Sequence, residues 1–80
     1  MEMEQYKNYL NAFNAFVFAY NMYDYNNKLN EYSDNKKEIK KSKKDLKKKA
    51  ATLYSEYKKI PEELHIPELE EKIQFVLSLD

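Results

Sequence analysis

Eighty residues supply material for one small domain, since a chain of this length buries only about 60% of its unfolded surface. With 42% apolar and 35% charged residues the chain can collapse and stay in water, and the absence of cysteine excludes a disulfide framework, a thiolate metal site and a cysteine nucleophile. Net charge is zero but segregated: residues 36–59 hold eleven lysines against three acidic residues, and residues 60–80 hold one lysine against six.

Glycine is absent and proline occurs only at positions 61 and 67, which argues against a sheet fold built on tight turns. The amino terminus is acidic, and its most apolar stretch, Ala12 to Tyr20, is interrupted by Asn14. A secretory leader needs a basic start with an unbroken apolar run, and a membrane span needs about 20 apolar residues. The expectation is a soluble cytoplasmic protein without a membrane partner.

The first element is a helix over about 2–32. Tyr6, Tyr9, Leu10, Phe13, Phe16, Val17, Tyr20 and Tyr23 recur at three- and four-residue spacing, the pattern of one buried helical face. Phe13, Phe16, Val17 and Tyr20 are the expected core. A second stripe, Phe18, Met22, Tyr25, Leu29 and Tyr32, lies roughly opposite. A helix apolar on two faces needs two covers, so this stripe is either sheathed by the second helix or offered to a partner.

Counting by sevens from Phe18 reaches Tyr25, Tyr32, Ile39, Leu46, Leu53 and Ile60, with Met22, Leu29, Lys36, Lys43, Ala50 and Tyr57 as companion seam. This is a heptad pattern. Asn26 to Asn35 is rich in Asn, Ser and Asp, which compete with the helix through side-chain hydrogen bonds, and Asn also tolerates the left-handed conformation. The chain is therefore expected to fold back near 33–35, with Ser33 or Asp34 capping a second helix over about 34–60. Such a hairpin sets Tyr32 beside Ile39, Tyr25 near Leu46 and Phe18 near Leu53. An unbroken rod is the alternative.

Pro61 ends the second helix, and Pro67 suits the first position of a third over about 67–79, with acidic residues in its first turns and Leu69, Ile73, Val76 and Leu77 as its apolar face. The fold class is thus all-α: a long antiparallel helical hairpin, coiled-coil-like, with a short C-terminal helix after a proline elbow.

Function follows from surfaces, because catalytic equipment is missing. The serines and Thr52 have only one histidine in the chain to activate them, and no glycine-rich phosphate cradle exists. Glu62 and His65 have the Glu-x-x-His spacing of bundle di-metal sites, but in a single copy between two prolines. Neither metal nor cofactor is expected, and His65 reads as an exposed linker residue.

Lys36, Lys37, Lys40, Lys41, Lys43, Lys44, Lys47 and Lys48 form a basic run suited to an acidic or phosphate-bearing surface, or to a solvated face that complements the flanking acid within the chain. Base reading usually needs Arg, Asn or Gln, which the run lacks. The expected function is a small non-catalytic interaction module, an inhibitor or adaptor that occludes a surface of a larger protein with the Phe18–Tyr32 stripe while the lysines steer. A homodimer is expected, and a short chain without catalytic equipment whose Lys, Asn, Tyr and Ile bias suits an AT-rich genome resembles phage or mobile-element accessory proteins in composition. The alternatives are loose nucleic-acid binding through the lysine helix and a structural coiled-coil component.

Overall fold

The computed structural model describes residues 3–79. Helix α1 spans Met3–Leu29 and α2 spans Lys36–Tyr57; a single 3-10 turn, Glu62–Leu64, lies in the elbow, and α3 spans Pro67–Leu77. The helices are all-α in the expected order, α1 and α2 pack as a hairpin, and the rod is not formed. At about 1.5 Å per residue α1 alone is roughly 40 Å long, which accounts for principal extents of 47 × 20 × 15 Å.

Each helix is shorter than its sequence pattern. The expected start at residue 2 lies outside the described residues. At its other end α1 stops at Leu29 and continues as turns through Ser33. The reversal uses asparagine differently from expectation: no described residue has positive φ. Instead the Asn35 N–H donates to Asn30 Oδ1 at 2.9 Å, and Asn35 Nδ2 donates to the Asn26 carbonyl at 3.1 Å and to Asn26 Oδ1 at 3.3 Å. Side-chain amides thus tie the turn to the end of α1 without a left-handed residue, while backbone N–H groups of residues 30–33 serve the last carbonyls of α1. The N-cap of α2 is Asn35 rather than Ser33 or Asp34, and its side chain, engaged with α1, makes no capping bond to α2. Asp34 contributes only a long contact, accepting from the Lys36 N–H at 3.4 Å.

The heptad count holds on α2, where Leu46, Ala50, Leu53, Tyr57 and the following Ile60 are buried. It fails on α1. The buried residues there are Tyr9, Phe16, Ala19 and Asn26, so Phe18 and Tyr25 do not lie against Leu53 and Leu46. A seven-residue count has meaning only along one helix, and the non-helical turn resets the phase. Small residues, Ala19 on α1 and Ala50 on α2, belong to the same core cluster and permit close helix approach, a signal that a search for bulky residues passes over. Of the expected α1 core, Phe16 is buried, Phe13 and Tyr20 are partly buried, and Val17 is 39% exposed. Val17 lies at the rim of a cleft between α1 and α3, shared with Tyr20, Leu69 and Lys72.

At the elbow the chain wraps around Tyr57. The Ile66 N–H donates to its hydroxyl at 2.9 Å, and the His65 ring stacks on it with centroids 4.2 Å apart. His65 Nε2 lies 3.0 Å from the Tyr57 carbonyl and 3.1 Å from that of Ile60. Both are acceptors, so Nε2 carries a proton and closes the end of α2. The half-buried ring is therefore a structural cap, not an exposed linker residue. From here α3 runs antiparallel to α2, burying Leu69, Ile73 and Val76, and ends where Lys47 Nζ donates to the Leu79 carbonyl. Its Lys72 reaches α1, with Nζ 4.4 Å from the Tyr20 ring centroid, a cation–π contact.

Candidate functional site

The α1 stripe singled out by spacing is uncovered. Phe18 is 71% exposed, Tyr25 60% and Tyr32 84%, with Met22 at 44% and Leu29 at 37%. Their separations alternate four and three, the a/d rhythm of a coiled-coil seam. Phe18 to Leu29 are held on one face by α1, whereas Tyr32 stands in the turn beyond it. The helix that carries this face is clamped to α2 through Phe16, Ala19 and Asn26.

Asn26 fixes this clamp. It is 8% exposed, and its Nδ2 donates to Ser42 Oγ at 3.2 Å while Ser42 donates onward to the Glu38 carbonyl at 2.8 Å. A buried amide in a helical seam sets register, since a slip would leave it unpaired. No buried polar side-chain atom among the described residues lacks a partner. The sequence reading missed this triad of Asn26, Asn35 and Ser42; the polar residue interrupting an otherwise apolar seam at Ala12, Ala19 and Asn26 was the available signal.

Away from the stripe, a shallow cleft of about 480 Å³ runs along α2, lined by Lys36, Ile39, Lys40, Lys43, Lys44 and Lys47. A different cleft, about 340 Å³, holds Phe18 and Met22 with Asn26 of α1 and Glu38, Lys41, Ser42 and Asp45 of α2. The basic run is thereby divided. Only Lys41 borders the aromatic stripe, together with two carboxylates, while five lysines gather around Ile39 on the α3 side of α2. Lys37 and Lys48 are exposed and line neither cleft.

Three ion pairs among the described residues are local: Lys28 with Asp24 at 3.0 Å, Lys49 with Asp45 at 3.9 Å and Lys59 with Glu56 at 3.3 Å. Exposed pairs three or four apart contribute little. Lys36, Lys40 and Lys44 meet no carboxylate among the described residues, so the anticipated internal neutralisation by the flanking acid does not reach them. Among the described residues no group of three or more His, Asp or Glu could hold a metal ion, and no helix is long and apolar enough to cross a membrane.

Two tyrosines have shifted chemistry, both in the core. Burial raises the Tyr57 phenol above 10.0, with Glu70 adding to the rise and the Ile66 backbone bond opposing it. Burial likewise raises Tyr9, with Tyr57 and Tyr6 adding to it. Both rings remain neutral and serve packing. No known protein family, curated protein or solved structure matches the chain.

Proposed function

We propose that this chain is a non-catalytic protein-interaction module whose working surface is the α1 stripe of Phe18, Met22, Tyr25 and Leu29, extended by Tyr32. The observation that carries the reading is the contrast on one helix: Phe16 is 2% exposed and Phe18 71%. Aromatic residues held on a rigid helix bind at low entropic cost and are typical interface anchors. The module acts by occlusion, as an inhibitor or adaptor, by burying these rings in a groove of the target.

A second copy is one occupant the stripe fits. Its four-three spacing matches itself, and its exposed side chains offer roughly 600 Å² per protomer, taking about 200 Å² for a fully exposed aromatic. A pair would bury about 1,200 Å², the lower edge of a specific interface. The test is the double variant Tyr25→Ala/Tyr32→Ala, compared with wild type by sedimentation across concentrations and by affinity capture from the native host. Loss of self-association or of a captured protein, with helicity unchanged by circular dichroism, supports the reading. A large loss of helicity reassigns the stripe to the core and removes it.

A further inference from the structure

The lysine-walled cleft differs from the aromatic stripe in kind and place, and α3 shows how its face of α2 is used. Over the C-terminal half of α2, that face seats an amphipathic helix by its apolar residues Leu69, Ile73 and Val76, at i, i+4 and i+7. Glu68, Glu70 and Glu71 of the same helix remain exposed. The seat ends at Lys47, which both donates to the Leu79 carbonyl and lines the cleft. Beyond it the track runs on along α2 to Lys36, with half-buried Ile39 as floor and lysines as walls. Its length, roughly 17 Å at 1.5 Å per residue, matches the 11-residue α3.

We infer that this cleft is a docking site for an acidic amphipathic helix of a partner protein, which would lie on α2 end-to-end with α3. Its apolar residues would meet Ile39 and the lysine stems, and its carboxylates would meet Lys36, Lys40 and Lys44. Charge selects the occupant, because the only carboxylates on this part of α2, Glu38 and Asp45, border the other cleft. Stems of lysine supply apolar wall while their ammonium groups stay in water, so the cleft offers grease and positive charge together. A bare polyanion would use only the second. The site is separate from the aromatic stripe, and a chain with both would bridge two proteins.

The experiment uses the whole chain and a labelled helical peptide with leucines at i, i+4 and i+7 and glutamates elsewhere. A scrambled peptide of equal composition and a single-stranded oligothymidylate serve as comparators, in fluorescence anisotropy at low salt. The expected result is saturable binding at least ~10-fold tighter for the aligned helix than for either comparator, weakening as salt rises. Lys40→Glu/Lys44→Glu is expected to weaken it by a further ~10-fold with helicity intact, since both side chains are exposed. Tyr25→Ala/Tyr32→Ala is expected to leave it unchanged. Equal binding of scrambled peptide or oligothymidylate would identify a simple polyanion patch and overturn the inference. So would binding lost in the tyrosine variant, or self-association of wild type that Lys40→Glu/Lys44→Glu abolishes, since the occupant would then be a second copy.

Discussion

The two ends of this molecule are held together by different chemistry. At the elbow end three helices meet, and Leu53, Ile73 and Val76 are fully shielded with Tyr57 gathering the elbow around its hydroxyl. At the turn end only two helices remain. A hairpin of two helices has no third wall, so its seam cannot be apolar throughout without large exposed flanks; here an amide–hydroxyl network of Asn26, Asn35 and Ser42 joins α1 to α2. The elbow end is where stability is concentrated. The turn end carries most of the exposed aromatic stripe and the lysine cleft, the latter open because α3 stops at Lys47.

The contrast can be broken most forcefully from the elbow side. Leu53→Ala is expected to destabilise the chain by about 2–5 kcal/mol, the usual cost of emptying a closed core site, read from denaturant midpoints. Ile39→Ala, in a half-buried site of the lysine cleft, is expected to cost about 1 kcal/mol. Equal costs would show that the turn end is packed as tightly as the elbow.

Next in size is Asn26→Ala, expected to cost about 1–3 kcal/mol because it removes the amide donor to Ser42 and one of the two acceptors of Asn35 from a buried seam. Amide hydrogen exchange should show the loss concentrated in residues 24–45, with protection at the elbow retained. Uniform loss along the chain would mean the two ends open as one unit.

Tyr57→Phe probes the elbow clasp. It removes the acceptor of the Ile66 N–H and is expected to cost about 1 kcal/mol at neutral pH. It should also alter the alkaline limb of stability. Because the folded state holds the Tyr57 proton above 10.0 while the unfolded chain releases it near that value, the contribution is complete below about pH 10 and is lost as pH rises through the folded value. Thermal midpoints measured upward from pH 8 should therefore fall less steeply above about pH 10 in the variant. An identical slope would place the phenol in contact with solvent. The smallest stability effect is expected from Tyr25→Ala/Tyr32→Ala, within about 0.5 kcal/mol as for exposed sites generally; a larger cost would mean the stripe supports the fold.

Much of this architecture could be read from residue spacing. Pro61 and Pro67 bracket the elbow, the α2 seam of Leu46, Ala50, Leu53 and Tyr57 follows its heptads, and the exposed α1 stripe was legible as a second apolar face. The face of α1 that meets α2 was not: the expected pairing of Phe18 with Leu53 does not form, because helical phase is lost across the turn and depends on how Asn30 and Asn35 fold it. The division of the lysine run was equally hidden: Lys41 and Lys40 are neighbours in the chain and line different clefts.

Periodicity is a local property, set by 3.6 residues per turn and by residues that cannot continue a helix, and it determined that there are three helices, their order and the apolar stripes they carry, but not their last turns. Which face meets which is a property of two surfaces at once. The tertiary structure decided that Ala19 and Asn26, rather than Phe18 and Tyr25, meet α2, that Tyr57 receives the elbow, and that α3 ends at Lys47. Close approach favours small side chains and a paired amide over bulkier rings that would hold the backbones apart, and that preference exists only once two helices are in contact.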